Sequence, residues 1–228
     1  MYWILMIVCF VFSILAQIRV KSTFNKYSKV RAKSGLTGEQ AALKILQMND
    51  LYNVRIESVA GSLTDHYDPR SDVLRLSEAT RYNNSIAAIG VAAHEAGHAV
   101  QDGVNYFPNK VRSALVPAAN LGSRAGPYLA IIGVMLSSST NMGLTIAYVG
   151  LALYFFAFLF YLVTLPVEFN ASSRAISILD ESAILSPQEL MGAKKVLRSA
   201  AMTYVASAAT ALVSFLRIFA LVGRSRDN

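Results

Sequence analysis

Apolar runs alternate with polar stretches along this chain, and their lengths predict its main elements. Residues 2–18 are almost uninterrupted apolar sequence, long enough to cross a bilayer as a helix. A second apolar run covers 116–136, interrupted by Arg124; Gly122 and Gly126 in it form a G-x-x-x-G, a weak sign of close helix packing. Residues 137–141 predict a short polar turn. Residues 142–167 carry no charged side chain and form the clearest membrane span. Residues 204–222 are apolar around one charge, Arg217, and predict either a fourth span or a helix packed on the rest of the protein.

The polar stretches carry shorter signals. Thr37-Gly38-Glu39-Gln40 followed by 41–46 reads as a capped start and an amphipathic helix. Residues 54–59 alternate like a half-exposed strand, which Gly61 ends. Residues 65–72, with Asp68-Pro69, predict a turn, and 73–76 a second short strand. Ser77 and Glu78 open the next helix, and 84–101 predict another, apolar over most of its length. Ser186-Pro187-Gln188-Glu189 opens a helix with proline in its first turn. The chain thus divides into an N-terminal transmembrane helix at 1–20, a polar part at 21–115, a transmembrane hairpin at 116–167 and a C-terminal part at 168–228. The fold class is mainly α, a polytopic membrane protein with a small β element.

Composition agrees: 54% of residues are hydrophobic and the mean hydropathy is +0.41, above the usual soluble domain. The net charge of +7, from 21 basic and 14 acidic residues, does not point to nucleic acid, because the positives cluster beside apolar runs. The partner they indicate is the lipid bilayer. Arg19, Lys21, Lys26, Lys29, Arg31 and Lys33 all follow the first run and none precedes it, the reverse of a cleaved signal peptide. The positive-inside rule places the N-terminus outside and residue 21 onward in the cytoplasm of a multi-pass cell-membrane protein. The hairpin turn then lies outside, and the chain returns to the cytoplasmic face near residue 167. A fourth span would leave Arg224 and Arg226 outside, against that trend. The one cysteine, Cys9, excludes an internal disulfide and a cysteine-based zinc site.

The chemistry lies in His94-Glu95-Ala96-Gly97-His98, an H-E-x-x-H. With this chain's own His and Glu frequencies, such a pattern arises by accident on the order of once in a thousand chains. Residues four apart share a helix face, so His94 and His98 can hold one zinc ion. Glu95 lies a step around the helix, within reach of water at the metal, and fits a general base. Two histidines and a glutamate in an apolar helix are costly to bury without such a partner. The bland alternative is a pair of core histidines satisfied by hydrogen bonds. A catalytic zinc takes a third protein ligand, and Glu168, the first charge after 142–167, is brought to the same membrane face. It is either that ligand or an interfacial glutamate paired with Arg174 or a lysine.

The stretch His94 to His98 followed by Glu168-Phe169-Asn170-Ala171 resembles the integral-membrane gluzincins that include HtpX and the CAAX prenyl proteases. The chain is more closely similar to the YugP-like membrane zinc metallopeptidases, through Leu63-Thr64-Asp65-His66-Tyr67-Asp68-Pro69, Leu74-Arg75-Leu76-Ser77, the segment 90–99 and the segment around Glu168. The resemblance covers nearly the whole chain. It implies a zincin-like catalytic core in 21–115, zinc as cofactor, Glu168 as third ligand and a polypeptide substrate. In the HtpX-like pattern an aspartate follows the alanine and orients a ligand histidine; here that position is Ser172, and Asn170 or Asp65 is a candidate to take over. His66, Tyr67 and Arg174 are candidates to stabilise the oxyanion, with His66 equally readable as a loop histidine.

The resulting expectation is a membrane-embedded zinc endopeptidase with its site at the cytoplasmic face. Zinc is held by His94, His98 and Glu168, Glu95 is the base, and the substrates are membrane-associated or loosely folded chains. The strand at 73–76 is the expected edge for an extended substrate. The rival is a non-catalytic membrane scaffold with a structural zinc, which needs a fourth protein ligand such as His66.

Overall fold

A computed structural model describes residues 2–137 and 141–226. Its elements in chain order are α1 (Tyr2–Tyr27), α2 (Gly38–Met48), β1 (Arg55–Val59), β2 (His66–Asp68), β3 (Val73–Ser77), α3 (Glu78–Arg81), α4 (Ile86–Gly103), α5 (Phe107–Ser137), α6 (Asn141–Glu181) and α7 (Pro187–Arg226). The protein is mainly α, with one three-stranded sheet. The turn expected at 137–141 lies for the most part outside the described residues.

Among the described residues, three helices are long and apolar enough to cross a membrane: Tyr2–Tyr27, Met142–Glu181 and Pro187–Ser225. The first exposes Trp3, Ile4, Ile7, Val8, Phe10 and Leu15, a surface suited to lipid. α5, which holds Arg124, Pro117 and Pro127, is not among them. The apolar run ending at 167 and the polar segment after it are one unbroken helix. Val167, Ala171, Ala175 and Leu179 explain the continuation: spaced by four, they form one fully buried stripe.

The chain forms two compact units, one from 1–15, 110–166 and 203–228, the other from 16–109 and 167–202. In the first, α5 lies against α6 through glycines. A Cβ on Gly122 would strike the Leu153 carbonyl, and one on Gly133 the Ala147 backbone. The G-x-x-x-G is therefore a packing device in this hairpin. Arg217 sits over the Trp3 ring, 4.1 Å from its centroid, and reaches the Met6 sulfur at 3.4 Å.

The second unit holds the polar elements around one core. Ala41, Ala42, Ile45 and Leu46 of α2 pack with Ile89, Ala92, Ala93, Ala96 and Val100 of α4. Thr37 caps α2 in a capping box with Gln40, as the sequence predicts. Ser85 caps α4, accepting from the Ala88 N–H at 3.2 Å.

The sheet order is β1-β3-β2, with β1 parallel and β2 antiparallel to β3. This corrects two expectations. Residues 65–72 are not only a turn, since His66–Asp68 form a strand whose turn is closed by the Asp68 carboxylate accepting from the Arg70 N–H and the Ser71 hydroxyl. β3 is the central strand, with Val73, Leu74 and Leu76 buried, so the strand at 73–76 cannot offer a substrate its edge. Val73-Leu74-Arg75-Leu76 is too short a run, and Arg75 too polar, to mark the strand as central.

Candidate active site

α4 delivers His94 and His98 one turn apart, their ring centroids 4.8 Å from each other and nearly perpendicular. Opposite them α6 supplies Glu168. Its Oε2 lies 3.3 Å from His94 Nε2 and 3.6 Å from His98 Nε2. The three side chains are largely buried, and their donor atoms lie within 4.8 Å of one another. Around a tetrahedral zinc, with ligand bonds of about 2.0–2.2 Å, neighbouring donors stand about 3.3–3.5 Å apart. The two spacings from Glu168 Oε2 come close to this, so the residues fit the ion.

Close backbone approach makes this possible. A Cβ on Gly97 would lie 2.8 Å from the Ala171 carbonyl oxygen, so glycine is what lets α4 and α6 meet here.

Each imidazole is held from its far side. Ser172 Oγ lies 3.2 Å from His94 Nδ1. Gln101 Oε1 lies 3.0 Å from His98 Nδ1. Gln101 is fully buried, and its Nε2 donates to the Val167 carbonyl at 2.8 Å and to Asn170 Oδ1 at 3.0 Å. Arg174 Nε donates to the same Asn170 oxygen at 2.8 Å. Sequence reasoning missed Gln101. Its signal was modest: an amide one turn past His98, closing an apolar helix.

Glu95 lies beside the pair, on the side where β2 packs against α4. Burial pushes its carboxyl up to about 7, and the Glu168 and Asp65 charges push the same way, while the His94 ring and a hydrogen bond from the Tyr67 backbone pull it down. A cation at the neighbouring donors would lower it further. Tyr67 is doubly anchored: its hydroxyl lies 3.1 Å from Asp72 Oδ1 and 3.3 Å from Asp102 Oδ2. Burial first, and then the Asp102 charge, hold that phenol well above its ordinary range, so it stays a donor.

Asp65 accepts from the Ser77 N–H at 2.8 Å and from its hydroxyl, and reaches the site only through its field on Glu95. His66 is exposed, its Nδ1 2.9 Å from the Thr64 carbonyl, and it is not in the donor group. Asn170 and Arg174 belong to the hydrogen-bonded chain behind His98.

Comparison with known proteins agrees with this geometry. A family model described as "Putative neutral zinc metallopeptidase" matches residues 2–223. The chain belongs to this zinc metallopeptidase family. It is also 46% identical over 216 residues to "Putative membrane protease YugP" of Bacillus subtilis (strain 168), covering 95% of this chain and 94% of that one. No solved structure matches it. The family and the three apolar helices together make this a membrane protein of the zinc metallopeptidase type.

Proposed function

We propose that the protein is a zinc-dependent endopeptidase of the cell membrane, acting at the cytoplasmic face on membrane-associated or loosely folded polypeptides. The observation that carries this reading is the donor count. A closed structural zinc takes four protein ligands, whereas the group formed by the described residues has three, with a carboxylate beside them. That count disfavours the scaffold reading, since His66 is not in the group.

His94, His98 and Glu168 would hold the zinc, which when bound would supply Lewis acidity toward a carbonyl and a water. Glu95 takes the proton from the attacking water and passes it to the leaving amine, a task its place in the motif beside the two histidines suits. An extended substrate would lie along β2, the sheet edge that packs against α4. Glu168 directly follows the apolar run 142–167 in the same helix, which favours substrates already concentrated at a bilayer.

The test compares one polypeptide sequence free in solution and tethered by a transmembrane helix. Both are offered at equal bulk concentration to the zinc-loaded protein in vesicles, with Glu95→Gln as blank. Internal cleavage that is faster for the tethered form is expected. Equal rates would remove the membrane preference, and no Glu95-dependent cleavage of either would remove the peptidase reading.

A further inference from the structure

We propose that Gln101 is a positioning residue that fixes the proton of His98 on Nδ1, with Arg174 and Asn170 setting the direction of the chain behind it. The inference rests on the metal-site reading for its consequence, but its evidence is hydrogen-bond direction alone.

Two partners have only one possible role. The Val167 carbonyl can only accept, so the Gln101 atom 2.8 Å from it must be the NH2 nitrogen. A guanidinium N–H can only donate, so the Asn170 atom 2.8 Å from Arg174 Nε must be the carbonyl oxygen. That same oxygen, with two lone pairs, takes the second Gln101 hydrogen at 3.0 Å. Turning the Gln101 amide over would set its oxygen against two acceptors. Turning Asn170 over would set its NH2 against Arg174. With both amide hydrogens spent, what Gln101 presents to His98 Nδ1 at 3.0 Å is an acceptor. Nδ1 therefore carries the hydrogen, and Nε2, 3.6 Å from Glu168 Oε2, points its lone pair at the metal position.

Gln101 thus does for His98 what a carboxylate does in a carboxylate–histidine–zinc triad, without adding a negative charge. Its own orientation needs the residues 66 and 69 positions on, Val167 and Asn170, so the tautomer is set only once α6 has docked on α4. His94 has no such device. The Ser172 hydroxyl beside its Nδ1 can donate or accept.

The experiment uses the full-length protein with 15N-labelled histidine in detergent micelles, metal-free and zinc-loaded. His66→Gln and, in the metal-free protein, His94→Gln assign the three imidazoles by difference. A protonated Nδ1 on His98 in both states is expected. In Gln101→Leu, the metal-free His98 should lose that preference and zinc should bind about 10- to 100-fold more weakly, the usual loss for such a partner. An unprotonated Nδ1 in the wild type would overturn the proposal, as would a Gln101→Leu protein with unchanged His98 signals and unchanged zinc affinity. Should Gln101→Leu not fold, Gln101→Met, closer to glutamine in shape, replaces it; a lost His98 Nδ1 preference with weaker zinc binding supports the proposal, and an unchanged signal and affinity overturns it. A wild type that kept the Nδ1 proton yet bound no zinc would sink the metal reading and leave the hydrogen-bond assignment standing.

Discussion

His94 and His98 are interchangeable in the motif but are held by different groups, a hydroxyl for one and a buried amide for the other. The difference matters because a ligand histidine must keep its lone pair on the metal side, and only the amide dictates this. Glu95 differs again: its carboxyl is raised by enclosure, yet Tyr67 of β2 gives it a backbone hydrogen bond. At this scale the sequence was legible where the chemistry is local. Two histidines and a glutamate within one helical turn are visible at once, because spacing alone fixes their geometry. Glu168 lies 70 residues further on than His98 and could be nominated only through topology and the family resemblance. Gln101 was legible only as an amide one turn past His98. Its role exists only through Val167 and Asn170, and nothing near it in the sequence announces them.

Among the elements, the α4–α6 contact governs the site. It depends on Gly97, where a Cβ would come to 2.8 Å from the Ala171 carbonyl oxygen, a backbone atom that cannot swing aside. Gly97→Ala should therefore push the two helices apart. We expect a stability loss on the order of 1–3 kcal/mol, as for overpacking elsewhere, together with weaker zinc binding as Glu168 withdraws from the histidines. Thermal unfolding and zinc titration of the variant check this; unchanged values in both would contradict the close approach. The helices were largely readable from their caps and apolar periods. The β2 strand was not, because three residues beside Asp68-Pro69 look like a turn and gain their strand form by pairing with β3. Nor did the sequence show that α6 runs on unbroken past Pro166, although the buried stripe at 167, 171, 175 and 179 has helical spacing.

On the scale of the whole molecule, the family and the apolar helices establish a membrane protein, and the charge pattern predicts an orientation for it. Six basic residues between Arg19 and Lys33 follow the first span, so that side should be cytoplasmic. With Cys9 replaced, cysteines introduced at Ser28 and Ser138 should react oppositely with a membrane-impermeant thiol reagent, Ser28 protected and Ser138 labelled from outside. Labelling of both from outside would refute this orientation and take the active site off the cytoplasmic face.

The central claim is that His94, His98 and Glu168 hold one zinc while Glu95 works beside it as the base. Zinc content and polypeptide cleavage, measured together on wild type, Glu95→Gln and Glu168→Ala, test it most directly. About one zinc per chain is predicted for wild type and Glu95→Gln, with cleavage by the latter reduced on the order of 10²–10⁴-fold, the usual weight of a general base. Glu168→Ala should lose most of the metal and the activity with it. Cleavage by Glu95→Gln at the wild-type rate, or full zinc retention in Glu168→Ala, would contradict the account.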